Sequence, residues 1–149
     1  MANRARSRAR GWSLQVLYAA ESRGAAAGPH AVLEAFLVER RIAAESRPYL
    51  RALVGTVAEH RDDIDRAIEG ALTNWRLERL SAIDRAILRI GAAELLFVAD
   101  VPARVAIQEA IILAEKYGTT ESPRFVNGVL DALARAHGAV AGKDAGREA

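Results

Sequence analysis

Residues 81–98 read SAIDRAILRIGAAELLFV, and the placement of apolar side chains in this stretch decides the fold class. Ile87, Leu88, Ile90, Leu95, Leu96 and Phe97 fall on most sides of a 3.6-residue spiral, so a helix over 83–98 is apolar almost all round. Such a helix belongs at the centre of a domain, wrapped by others. Ser81, with Asp84 three residues on, resembles a capping box and marks its start. Asp100-Val101-Pro102 breaks its end. Glu94 sits inside this most hydrophobic helix, and a buried acid needs a partner. An arginine such as Arg89 or Arg10 is the simplest one.

The flanking segments carry the same helical period. A first helix runs from the basic N-terminus through GWSLQVLYAA (11–20) and ends near Arg23, before the flexible break GAAAGP at 24–29. Residues 30–40 form a short helix with Val32, Leu33, Phe36 and Leu37 facing inward. A long periodic segment over 48–72 puts Leu50, Leu53, Val54, Val57, Ile64, Ala67 and Ile68 on one face, with Pro48 suited to its first turn. Beyond the central helix, residues 105–117 form another, closed by Gly118 as a left-handed cap. Residues 119–123 are a loop and start signal for a last helix over 124–137. Within that helix Gly128 costs about 1 kcal/mol against alanine, so it is expected to permit close helix approach, with Asn127 bonding a neighbouring loop or backbone. Residues 139–149, rich in Gly and Ala with mixed charge, read as a disordered tail, leaving 1–138 as one domain. No stretch alternates with period two for long, so the expectation is all-α, with six to seven helices.

Charge is unevenly placed. The opening MANRARSRAR holds Arg4, Arg6, Arg8 and Arg10 and no acid, while the whole chain is only +2. The remainder is therefore net negative, and the positive excess sits in one segment. Arginine-rich ends are often solvated tails, but single Ala or Ser spacers favour a helix that fixes the guanidinium directions. On such a helix Arg4, Arg8 and Gln15 share one flank, Ala5, Ala9, Trp12, Val16 and Ala20 form the apolar stripe, and Arg6 and Arg10 lie on the opposite flank. A localised cationic patch points to a polyanion, commonly RNA or DNA.

Catalytic chemistry finds little purchase. There is no cysteine, which excludes disulfides, thiolate zinc sites and cysteine nucleophiles and fits a reducing cytoplasm. His30, His60 and His137 lie in separate elements, without metal-ligand spacing. No glycine-rich phosphate loop follows a strand, and no serine sits in a nucleophile elbow. Asp62, Asp63 and Asp65 read as a solvated helix face. No enzyme activity, metal or cofactor is expected. No apolar run approaches the roughly 20 residues of a membrane span, so a cytoplasmic protein without membrane attachment is expected.

Four blocks in order carry a family resemblance. They are RxRARxxxxQxLY at 6–18, LERLSAIDRAILRIGAAEL at 77–95, DVPARVAIQEAIILAEKYG at 100–118 and ESPRFVNGVLDALAR at 121–135. Together they resemble the NusB family of bacterial transcription antitermination factors. The resemblance implies two small three-helix bundles and binding of the single-stranded boxA element of ribosomal RNA leader transcripts. It implies a heterodimer with NusE, a small-subunit ribosomal protein, in a complex that helps RNA polymerase read through terminators. The implied RNA-facing set is Arg6, Arg8, Arg10 and Gln15, joined by Glu121 and Arg124, with Arg4 as an added cation upstream. Tyr18, Glu78 and Asp84 match positions of the protein-partner surface. Two departures stand out: Ser7 interrupts the family's basic run, and Pro123-Arg124 replaces a His-Lys pair. Aromatic residues are few, so arginine planes, with Tyr18 or Tyr117 at the margin, would serve for stacking. Four arginine–phosphate contacts correspond to a log–log salt slope of about −3. Two other readings stay open: the RNA-binding module of an RsmB-type rRNA methyltransferase, and a protein-interaction bundle whose arginines meet an acidic partner. Monomer and homodimer are both open.

Overall fold

The computed structural model describes residues 2–22 and 28–138. They form seven α-helices and no strand: α1 (Ala2–Ser22), α2 (Pro29–Glu39), α3 (Arg47–Glu59), α4 (Arg61–Ala71), α5 (Ala82–Phe97), α6 (Ala103–Tyr117) and α7 (Ser122–Ala136). Short 3-10 turns occupy Ala44–Ser46 and Leu77–Arg79. None of these helices is long and apolar enough to cross a membrane. The expected tail at 139–149, and most of the break after α1, lie outside the described residues.

α5 is the axis of the molecule. Every residue from Ala86 to Leu95 is buried, which is where an all-round apolar helix has to lie. Its start is capped as the sequence predicts: the Ser81 Oγ accepts the Asp84 backbone N–H at 3.1 Å. Two packing units share this axis. In the first, Ala9 and Val16 of α1 meet Val32, Leu33, Phe36 and Leu37 of α2 and Leu50 and Val54 of α3. In the second, α5 packs against α4, α6 and α7, and receives Leu14 and Leu17 of α1 and Leu53 and Val57 of α3. α1 and α3 are therefore buried on two sides and join the units.

Three local expectations change. The segment 48–72 is two helices, because the chain leaves helical geometry at His60 (φ −109°, ψ 24°). The apolar stripe continues across this break, so periodicity alone gives no sign of it. Tertiary packing secures it: the His60 ring stacks on Phe97 with centroids 3.9 Å apart. α4 then packs in the second unit.

Gly118 is not left-handed; its φ of −92° lies in the extended region. It is glycine for space, since a Cβ there would stand 2.5 Å from the Ser122 side chain and 2.9 Å from the Ala114 carbonyl oxygen. Gly128 does not mediate close approach either. It and Asn127 are exposed on α7, and a Cβ at Gly128 would meet nothing within 4 Å. The close contact is at Gly91, where a Cβ would lie 2.5 Å from Leu130 Cδ1.

These two glycines should respond oppositely to the same change. Gly91→Ala overpacks the α5–α7 contact and should cost about 1–3 kcal/mol. Gly128→Ala relieves a helix-interior glycine on an open face and should stabilise by up to about 1 kcal/mol. Urea denaturation of the two variants measures both.

Candidate nucleic-acid interface

The interface begins with the way α1 is rotated. Ala9, Arg10, Ser13, Leu14, Val16, Leu17 and Ala20 are buried, whereas Arg4, Arg8 and Tyr18 are exposed and Gln15 is half-buried. Positions 4, 8, 11, 15 and 18 thus form the outward face. The apolar stripe drawn through Ala5, Ala9, Trp12, Val16 and Ala20 is displaced from the true buried face by about two-thirds of a residue step around the helix. Arg6 and Arg10 accordingly turn inward.

Arg10 is 3% exposed. Its Nε donates to Glu94 Oε1 at 3.0 Å and Oε2 at 2.8 Å, and its Nη1 lies 3.4 Å from Glu109 of α6. The Tyr49 hydroxyl, from α3, donates to the same Glu94 carboxylate. Burial pushes the Glu94 carboxyl up from its ordinary value, while Arg10 and the Tyr49 hydrogen bond pull against it. Burial and the Glu94 charge push the Tyr49 phenol upward, which keeps it a donor. Of the two arginines considered for Glu94, Arg10 takes the place. Arg10 is therefore corrected from an RNA-facing residue to a buried structural one.

Arg6 occupies an intermediate position. Its guanidinium lies 4.4 Å from the Tyr49 ring centroid and donates to Asp100 at 2.9 Å. That hydrogen bond raises its already high pKa. Beside it, Arg104 of α6 lines the same cleft with Asn3 and Gln108. Arg104 is exposed and went unnoticed in the sequence because no charge run marks it.

The outward face of α1 leads to the start of α7. A Cβ on Gly11 would lie 3.9 Å from the Tyr117 hydroxyl, and Tyr117 closes α6 just before the 118–121 loop. Glu121 and Arg124 are exposed at the end of this path. There they line a groove of about 470 Å³ together with Asp84, Trp75, Arg79 and Phe125. The structure thus brings Asp84 next to Glu121 and Arg124, which the sequence reading had assigned to separate surfaces. Trp75 and Arg79 carry no sequence signal for this site, since nothing in their spacing shows that their loop folds back toward α7.

Arg85 ties the Glu78 backbone to α1 near Tyr18, while Asp84 lies in the groove with Glu121 and Arg124. Tyr18 is 43% exposed, and the exposed Glu78 lies 3.6 Å from Arg76. Arg85 donates to the Leu80 carbonyl, to the Glu78 carbonyl at 3.2 Å, and to Glu21, one turn beyond Tyr18. Arg89 donates to both carboxylate oxygens of Asp65, at 2.9 and 3.2 Å, and to Glu21 at 3.3 Å. Burial opposes ionisation of Glu21, but Arg85 and Arg89 outweigh it and hold its carboxyl below the ordinary 4.5. Among the described residues no group of three or more His, Cys, Asp or Glu could hold a metal ion.

Two stability measurements follow. Arg10→Ala strands a buried carboxylate and should cost about 3–5 kcal/mol, most of it recovered when Arg10→Met is combined with Glu94→Leu. For Glu21 the folded state binds its proton more weakly than the unfolded state, so its contribution is present above pH 4.5 and fades as pH falls through the lower folded value. Between pH 4.5 and that lower value, the wild-type chain should lose stability more steeply than Glu21→Gln in acid titrations of urea midpoints.

Comparison with known proteins accords with this geometry. Residues 7–135 match the model of the NusB family. The transcription antitermination protein NusB of Geobacter sulfurreducens is 44% identical over 131 residues, covering 87% of this chain and 94% of that protein. Its counterpart from Sorangium cellulosum is 46% identical over 136 residues, covering 91% and 96%. Among solved structures, T. maritima NusB superposes with a TM-score of 0.78 at 37% identity, covering 87% of this chain and 90% of that one. A crystal structure of antitermination factors NusB and NusE in complex with double-stranded RNA superposes with a TM-score of 0.78 at 31% identity, covering 89% and 98%. With the family's helices, its sequence blocks and its overall shape all present along most of its length, this chain belongs to the NusB family.

Proposed function

We propose that this chain is a transcription antitermination factor. It binds single-stranded boxA RNA of ribosomal RNA leader transcripts together with NusE and helps RNA polymerase read through terminators. It acts in the cytoplasm by binding, without catalysis, and residues 1–138 work as one domain. The carrying observation is the outward face of α1, where Arg4 and Arg8 are exposed and Arg10 is withdrawn into the core. A helix anchored by a buried ion pair presents its cations in set directions, which a solvated tail cannot do. Gln15 supplies a base-edge hydrogen-bonding group beside them, and Glu121 and Arg124 extend the contact. Tyr18 and Glu78, held in register through Arg85 and Glu21, form the side that meets NusE.

The footprint is small. Arg4, Arg8 and Arg124 offer three phosphate contacts, so the salt slope should be about −2 rather than the −3 that four contacts would give. Binding of RNA alone is then weak, and NusE strengthens it by adding surface.

Gel shifts with a boxA oligonucleotide, a scrambled control and a duplex control, each with and without NusE, test this reading. Tightest binding to boxA with NusE present is expected; equal affinity with and without NusE would count against the joint site. Arg4→Ala with Arg8→Ala should weaken binding to every sequence and flatten the slope by about 1.4. An unaltered affinity and slope would remove α1 from the interface.

A further inference from the structure

We propose that the groove between Trp75 and Phe125 is a subsite for one unstacked RNA base, with Trp75 as its stacking platform. This rests on the RNA-binding reading above and extends it to residues outside α1.

Trp75 is 60% exposed although its loop is held on both sides. Leu77 is buried at the base of the loop, and its backbone N–H donates to Glu69 at 3.4 Å. Arg85 holds the carbonyls of Glu78 and Leu80 from the other side. The indole is therefore displayed by a pinned loop, and it lines the groove together with the half-buried Phe125. Across the groove stand Phe125 and Arg124, with Arg79 on the near side. Neither guanidinium makes an ion pair among the described residues.

The rest of the lining selects the ligand. Asp84 Oδ1 is buried without a hydrogen-bond partner among the described residues, and Glu121 stands exposed nearby. A base supplies what such a groove lacks: a flat face for the indole, edge N–H donors for the carboxylates, and flanking phosphates for the two arginines. A protein side chain docking there would remove two arginines and two carboxylates from water with few partners in return. At about 470 Å³ the groove lies in the range of ligand sites, about 300–1,000 Å³. It also lies along the face that runs from Gly11 of α1 past Tyr117 to Glu121.

The two tryptophans are separable by substitution: Trp12 is half-buried at the margin of the first unit, edge-on to Phe36, and is removed to leave Trp75 as the one emitting tryptophan. In a Trp12→Phe background, boxA RNA should quench Trp75 fluorescence saturably, over the concentrations at which gel shifts record binding. The quench should be absent from Trp75→Phe in the native background. Trp75→Ala should weaken RNA binding by about 5- to 150-fold, the range for loss of one stacked base, with Trp75→Phe retaining most of the affinity and thermal midpoints unchanged. RNA that binds without quenching Trp75, or an unchanged affinity in Trp75→Ala, would overturn the subsite while leaving the α1 interface in place. A quench produced by NusE and not by RNA would reassign the groove to the protein partner. Failure of the wild-type chain to bind boxA at all would overturn both readings.

Discussion

The contact between Arg10 and Glu94 is the constraint on which the other features depend. A guanidinium and a carboxylate that both lie in the core must meet with good geometry, because leaving either alone costs several kcal/mol. Meeting that demand sets the rotation of α1 about its own axis. Tyr49 from α3 and Glu109 from α6 contact the same two groups, so four helices converge there. Once Arg10 points inward, positions 4, 8, 11, 15 and 18 must point outward. The recognition face is therefore a consequence of core electrostatics as much as of surface charge.

A second clasp works at the far end of α1. Glu21 receives Arg85 and Arg89, and Arg89 also holds Asp65 of α4. These contacts join α1 to the central helix and, through Arg85, to the loop that carries Glu78 and leads to Trp75. The surface assigned to a protein partner and the groove assigned to a base are thus held by one set of ion pairs. The middle and the C-terminal end of α1 are fixed against α5, which keeps the arginine face and the partner face in a constant relation. A binding protein with a small footprint depends on this, since contacts ordered beforehand lose less freedom on association.

Much of this was legible in the residues themselves. The all-α class, the central place of α5 and the inward faces of α2, α3 and α4 follow from spacing alone, because burial of a helix face imposes a 3.6-residue period on the sequence. The Ser81 cap was legible for the same kind of reason: the signal and its hydrogen bond lie within four residues. Glycines were harder. Gly118 reads as a backbone cap and Gly128 as a packing device, yet one is set by a crowding serine and the other by no contact, while Gly91 is explained only by a leucine on another helix.

The sequence by itself determined that the chain is helical, that its excess positive charge lies in the first ten residues, and that a buried Glu94 requires an arginine. Which arginines are spent inside and which remain for a ligand was decided only by tertiary structure, because four cations at alternate positions look equivalent until α1 is docked. The break at His60 and the meeting of Trp75 and Asp84 with Glu121 and Arg124 belong to the same class. They join residues far apart in the chain, and no local pattern records a contact whose two halves are brought together only by packing.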